Sequence, residues 1–411
     1  MSDRPTQRSL HHASGVIHEV RWSEICPWII LARALRVALL VRVLVLAAVG
    51  VVVTEAGWSL VCQQFSPPLQ MPDSLREGLP TFQFSDRPDQ VLETIRPSEW
   101  QSGTLVSGWH WLTAPFVEFG NRNLSTTALF GQLLLCAWAI IVWALVGGAI
   151  SRTAAMYLAR GETLGPLQAA RDALSVWPAT VGSPSITLLA GLALAVPLVL
   201  LGFLLRLDLL ATLAGLVWFL VIAWGLMLTV VVLGLMVGWP LMWACMGVER
   251  SDAFDGVSRC YAYVYQRPLH FAFFVVVAAG LGVLGDQVVA LFAGATTGLS
   301  EWVLRWGVGD GRATLLFDGD LEASPAPIAT NLIEWWKWGV ALIARSFPIA
   351  SLWTMSVGIY LLLRRAIDAT EMDEIVLSDG TIAAGLPTSI TTHDGDVQTD
   401  EETRHADSDA S

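Results

Sequence analysis

A stretch of 39 residues without a single charged side chain, residues 209–247, constrains this chain more than any other feature. A helix needs only about 20 apolar residues to cross the hydrocarbon core of a bilayer. Since backbone polar groups cannot be left unbonded in lipid, a helix is the expected form of this stretch. The sequence predicts a membrane-spanning helix that either runs on as one long helix or gives way to an interfacial segment near Trp239 and Pro240.

The rest of the chain has the same character. Hydrophobic residues make up 54% of it and charged residues 15%, whereas soluble domains carry about 25% charged residues. The sequence therefore predicts an all-α, polytopic transmembrane helix bundle with short amphipathic connector helices. The transmembrane domain covers residues 37–365, between an N-terminal cytoplasmic or interfacial segment, 1–36, and a tail, 366–411. About six spans are expected, at residues 37–53, 128–150, 185–205, 209–238, 271–293 and 339–363, with outer loops at 62–127 and 294–337.

The distribution of basic residues predicts the orientation. Six spans put both termini on one side of the membrane, and if that side is the cytoplasm, 14 of the 24 basic residues lie inside and eight outside. An excess of basic residues in cytoplasmic segments is the usual arrangement. We therefore expect an integral protein of a bacterial inner membrane with both termini in the cytoplasm.

The tail is acidic and is expected to be largely disordered beyond about residue 377. Residues 366–411 carry 12 acidic side chains and one basic one, which accounts for 11 of the 12 net negative charges. The tail has too little contiguous apolar surface to compensate for the entropy of ordering it. The nearly neutral body offers no basic face for nucleic acid.

Recognised catalytic and cofactor patterns are missing from the sequence. The GLGVLG sequence at 280–285 resembles a dinucleotide-binding fingerprint, but it lies inside an apolar span and is better explained by close helix packing. Gly234 and Gly238 form a second small-residue patch, which could face another span or a second copy of the chain. The five cysteines are scattered, without metal-ligand spacing. These features predict a protein that is not an enzyme and that binds no cofactor or metal.

Ionisable residues inside the spans are the first candidates for a functional role, because each costs about 3 kcal/mol at the bilayer centre. Asp286 and Arg345 fall at similar depths on consecutive spans, so a membrane-embedded ion pair is predicted, with Gln287 and nearby hydroxyls as substitute partners for Asp286. The alternative is that Arg345 extends outward and Asp286 is protonated or hydrated. Arg42 is expected to extend toward the near surface. Glu55 is placed just beyond the end of the first span.

The polar connector after the long apolar stretch, residues 249–268, holds the second set of candidates. It predicts an amphipathic helix that begins near Ser251 and leaves Arg259 free to meet an acidic neighbour, Glu249, Asp252 or Asp255, or a lipid phosphate. The side chains expected to face the bundle are Ala253, Phe254, Val257, Tyr261 and Val264. The earlier connector has a similar order of acidic residue, arginine and proline (Glu162, Arg171, Pro178), which suggests a duplicated unit of the kind found in many transporters.

The connector also resembles a known pattern, carried here by Glu249, Ala253, Phe254, Ser258, Arg259, Tyr261, Arg267 and Pro268. It is similar to a cytoplasmic connector in a loose group of uncharacterised bacterial polytopic membrane proteins. That group includes the membrane domain attached to some glycerophosphodiester phosphodiesterases. The phosphodiesterase catalytic domain has no counterpart in this chain. The resemblance implies an integral membrane protein and no enzymatic activity.

Two functional hypotheses follow. The first is a non-enzymatic scaffold or accessory protein whose partners are the lipid bilayer, other membrane proteins or a second copy of itself. The alternative is a transporter or permease subunit that uses Asp286, and an intramembrane enzyme is the least favoured reading. A transporter needs a polar cavity near the middle of the membrane, whereas a scaffold needs only a packed bundle.

Overall fold

The structure is a computed structural model that describes residues 26–65, 104–118, 125–317, 325–376 and 382–383. The prediction for the tail beyond residue 377 lies almost entirely outside these residues. Over the described residues the chain forms eleven α-helices and one two-residue antiparallel β pair, β1 (Ile375–Val376) with β2 (Ile382–Ala383). The helices are α1 (Ile29–Ala38), α2 (Val41–Gln63), α3 (Thr104–Glu118), α4 (Thr126–Arg160), α5 (Pro166–Leu204), α6 (Asp208–Leu216), α7 (Trp218–Glu249), α8 (Ala253–Gln266), α9 (Pro268–Val308), α10 (Asp310–Phe317) and α11 (Pro327–Asp368).

Six of the helices in the described ranges are long and apolar enough to cross a membrane: α2, α4, α5, α7, α9 and α11. The predicted fold class, an all-α polytopic helix bundle, is confirmed. The chain is an integral, multi-pass membrane protein.

The first predicted span, 37–53, differs from what the structure shows. The chain breaks at Leu39 and Leu40, which separates the short helix α1 from α2. Helix α2 then continues past residue 53, because Trp58 near its far end is fully buried and donates a hydrogen bond to the carbonyl of Leu135. As a result Glu55, expected beyond the end of the span, lies within the helix and is buried.

Both predicted outer loops contain more helix than expected. Helix α3, 15 residues long, lies within the predicted loop 62–127, and Pro115 is accommodated inside it. In 294–337, α9 continues to Val308, α10 follows, and α11 already begins at Pro327. Helices α9 and α11 pack along each other, and this packing stabilises the parts of both helices that continue beyond their apolar residues.

The long uncharged stretch is divided in a way that neither alternative anticipated. It breaks at Val217, between α6 and α7, whereas Pro240 lies inside the continuous helix α7. The burial of the side chains along α7 changes at residue 238. From residue 218 to 237 most side chains are exposed, as expected for a surface in lipid, whereas from 238 to 248 nearly all are buried against other helices. The apolar residues of α7 that exceed the length of one span therefore pack within the protein.

Tryptophans fill the centre of the bundle. In the described part of the chain, seven indole rings form a continuous series with ring centroids 4.7 to 6.3 Å apart, and α11 contributes Trp353 at its middle. Trp353 stacks on Trp243 of α7 and on Trp143 of α4. The series comprises Trp58, Trp109, Trp111, Trp143, Trp239, Trp243 and Trp353. The most apolar 18-residue segment of α11 is completely buried, so this part of α11 is at the centre of the bundle.

Candidate functional site

Glu249, the last residue of α7, lies at the centre of a cluster of charged and polar side chains. Its Oε2 accepts from Arg259 Nη1 of α8 at 2.6 Å, and its Oε1 pairs with Arg364 Nε of α11 at 3.1 Å. The hydroxyl of Tyr360, one turn before Arg364, donates to the same Oε1 at 2.6 Å. The Glu249 side chain is only 9% exposed. We call Glu249, Arg259, Tyr360 and Arg364 the Glu249 cluster, which ties three helices together.

Further contacts extend this cluster toward the tail. Arg364 Nη1 donates to the carbonyl of Glu374 at 2.7 Å, next to β1. Tyr263 of α8 donates to the carboxylate of Asp368 at the end of α11. The chain that follows α11 is therefore bound to the bundle at least as far as Glu374.

Connector helix α8 confirms the predicted amphipathic helix and most of its predicted face, since Val264 is buried and Val257 and Tyr261 pack against the core. Asp252, rather than Ser251, caps it, with Oδ1 accepting from the backbone N–H of Asp255 at 2.8 Å. Phe254 was expected to face the bundle, but it is 72% exposed. The buried positions are Gly256, Cys260, Tyr263 and Val264.

The close approach of Gly256 to α7 explains why Phe254 is exposed. A Cβ on Gly256 would lie 2.3 Å from the terminal methyl of Met246, so this side of α8 must be the one against α7. Phe254 is two residues away, or about 200° around the helix, and is turned outward. Ser258 is exposed as well.

Arg259 has two of the partners that the sequence offered it. Besides Glu249, its Nε donates to both carboxylate oxygens of Asp255, at 3.0 and 2.9 Å. Burial lowers the pKa of Arg259, but the hydrogen bond to Asp255 and the charges of Glu249 and Asp255 outweigh it and raise that pKa above its usual value. Burial is also the main cause that raises the pKa of the Cys260 thiol and of the Tyr263 phenol. These groups keep their usual protonation states at neutral pH, so Arg259 is a fixed cation and Cys260 a neutral thiol.

The glycine pair on α7 faces α8 of the same chain. A Cβ on Gly234 would lie 2.3 Å from the ring of Tyr261, and Gly238 lies beside Val264. The Tyr261 hydroxyl donates to the carbonyl of Val231 at 2.6 Å, and burial raises the pKa of Tyr261 to about 12. Gly234 therefore makes room for an aromatic ring of the connector, rather than for another span or a second subunit as the sequence had suggested.

A second polar cluster was missed in the sequence. Arg152 of α4 is buried, and it pairs with Asp172 of α5 at 3.4 Å and donates to the carbonyl of Gly247 at 3.0 Å. Arg250 donates to the hydroxyl of Ser175 at 2.6 Å. The sequence signal that could have revealed this cluster was an arginine directly after the apolar residues of α4, followed by an aspartate in the next helix.

The two connectors do not fold alike. Glu162 pairs with Arg160 at 2.9 Å in an exposed position, unlike the buried Glu249. Pro178 lies inside α5, whereas Pro268 begins α9. The parallel order of residues in the sequence thus has no structural counterpart at these positions.

The structure places a further ionisable residue, Glu55, near Arg345 of the predicted pair. Gly285, next to Asp286, packs on Phe347 of α11, close to Arg345, so the two helices meet near the predicted pair. Arg345 interacts electrostatically with Glu55 of α2. A direct Asp286–Arg345 pair stays a prediction. Glu55 was set aside because the first span was expected to end before it.

The Glu249 cluster is suited to holding the three helices together. Both oxygens of Glu249 are engaged by cations or by a phenol, so its carboxylate has little capacity to act as a general base. Among the described residues there is no group of three or more histidine, cysteine, aspartate and glutamate side chains that could hold a metal ion.

Comparison with known proteins adds no further constraint on these residues. No family model, curated protein or solved structure matches the chain. The resemblance of the connector to the group of bacterial polytopic proteins therefore remains an expectation from the sequence. The chain is a multi-pass, all-α membrane protein whose connector helix α8 is fixed to the bundle by Glu249.

Proposed function

We propose that this chain is a non-enzymatic scaffold or accessory protein of a bacterial inner membrane, with both termini in the cytoplasm. The observation that carries the proposal is the filled centre of the bundle, where seven tryptophans occupy the space that a transport route would need. The polar groups of the Glu249 cluster bind one another. Rigid packing of this kind suits a protein that presents surfaces to partners.

The exposed face of α8 is the partner surface that we favour. Phe254 and Ser258 project from a helix whose opposite face is held by the bundle, so the surface is fixed in position. An exposed aromatic residue beside charged residues is typical of contact sites between proteins.

Photo-crosslinking in cells followed by mass spectrometry tests this function. We expect a photoreactive amino acid at Ser258 to crosslink repeatedly to one membrane protein that also co-purifies in a fixed ratio. The same amino acid at exposed Leu220 of α7 should give lipid adducts and serves as the control. If Ser258 gives only lipid adducts or the same background of proteins as Leu220, the scaffold function through α8 is wrong.

A transporter or permease subunit is the second candidate. Glu55 is buried inside α2 and acts electrostatically on Arg345 of α11, which places ionisable groups within the bundle. Such groups are common in transport pathways. A transport function requires the tryptophan-filled centre of the bundle to open, whereas a scaffold function does not.

A further inference from the structure

A groove runs along the first turns of α2, on an exposed apolar surface of that helix. Its volume is about 590 Å³, and it is more open than enclosed. Val41, Val45 and Val49 follow one another at intervals of four residues and form one exposed apolar wall. Pro166, at the start of α5, lies on the other side. We call this the Arg42 groove, after the only charged side chain among the described residues that line it.

The shape of the groove fits one chain of a lipid. From Val41 to Val49 the wall is about 12 Å long, close to the depth of one leaflet, about 15 Å. The wall is made of branched aliphatic side chains. An extended hydrocarbon chain lying against it would cover apolar surface and make many close contacts.

The polar end of the groove favours a negative charge. Arg42 Nη1 donates to the carbonyl of Leu164 at 2.9 Å, which holds the guanidinium in place and leaves its other N–H groups free to donate elsewhere. No ion pair in the described part of the chain joins Arg42 to a carboxylate. A positioned guanidinium without a carboxylate partner is suited to bind a phosphate.

The backbone adds to this preference. Both helices that border the groove begin there, α2 after Leu40 and α5 after Gly165, and neither has a side-chain cap or an acidic residue in its first turn. Uncapped N–H groups at a helix start stabilise a nearby anion. We propose that the Arg42 groove binds a phospholipid with an anionic headgroup, the phosphate at Arg42 and an acyl chain along the valine wall.

Native mass spectrometry of the full chain in detergent tests this proposal. The protein is mixed with phosphatidylglycerol or with phosphatidylcholine of identical acyl chains, and retained lipid is counted. We expect wild type to retain the anionic lipid preferentially, and Arg42→Gln to reduce that retention about tenfold, because a hydrogen-bonded charge pair is lost. Arg36→Gln, an exposed arginine of α1 outside the groove lining, is the matched control and should leave retention unchanged.

A second variant tests the apolar wall separately. Val45→Trp fills the groove without changing charge, and it should lower retention of the anionic lipid even though Arg42 is intact. Equal retention of the two lipids by wild type would overturn the proposal, and so would normal retention by both folded variants. Retention that appears only after residues 1–25 are removed would overturn it too, because the chain's own segment would then occupy the groove. If neither variant folds, the lipid preference of wild type decides.

Discussion

Replacing Glu249 by glutamine is expected to lower the free energy of unfolding by about 3 kcal/mol, at the lower end of the cost of breaking a buried ion pair. The substitution removes the negative charge shared by Arg259 and Arg364 and keeps the shape of the side chain. Arg364 is only 11% exposed, so water cannot replace the lost carboxylate there. Arg259 is more exposed and keeps its ion pair with Asp255, so it should contribute less than Arg364 to the loss of unfolding free energy. Unfolding of the purified protein by a denaturing detergent measures the change.

Glu162→Gln is the matched control for this variant. Glu162 also pairs with an arginine, Arg160, but both side chains are well exposed at 51% and 34%. An exposed pair contributes less than about 1 kcal/mol, so the control should remain close to wild type. Equal effects of the two substitutions would mean that the Glu249 cluster does not hold the helices together.

Gly247→Val is expected to produce a loss of comparable size, about 3 kcal/mol, at the upper end for overpacked sites. At Gly247 the helices α4 and α7 approach so closely that a Cβ would lie 3.0 Å from the backbone carbon of Ser151. Backbone atoms cannot turn aside as a flexible side chain can. The helices must therefore separate, which also disturbs the hydrogen bond from Arg152 to the Gly247 carbonyl.

Gly225→Val in the same helix provides the comparison. Nothing lies within 4 Å of a Cβ at Gly225, and valine is a better helix former than glycine. We expect that variant to be as stable as wild type or slightly more so, with both variants measured by the same unfolding assay. If Gly247→Val were equally well tolerated, the close crossing of α4 and α7 would be wrong.

The sequence predicted the features that depend on local patterns. The apolar stretches predicted six membrane helices. The amphipathic pattern of residues 253–264 predicted a helix. Each of these signals lies within a few residues of the feature that it predicts.

Features that depend on distant residues could not be predicted in the same way. The outward position of Phe254 follows from the contact between Gly256 and Met246, so counting apolar positions placed Phe254 on the wrong face. The Glu249 cluster needs Tyr360 and Arg364, more than 100 residues later in the chain. The burial of Glu55 depends on how far α2 continues, which is set by the packing of Trp58 rather than by hydropathy.

Accessibility of the bundle centre to thiol reagents tests the central claim, that this interior is permanently packed. Ser351 and Ser356 of α11 are buried and lie within three residues of Trp353 in the same helix, and cysteine is close in size to serine. Each is changed to cysteine in a variant whose five natural cysteines are replaced by alanine, and a small membrane-impermeant reagent is added from either side. We predict that neither cysteine reacts, whereas Ser258→Cys on the exposed face of α8 reacts from its own side. Labelling of Ser351→Cys or Ser356→Cys from both sides would contradict the packed interior and would favour a transport pathway.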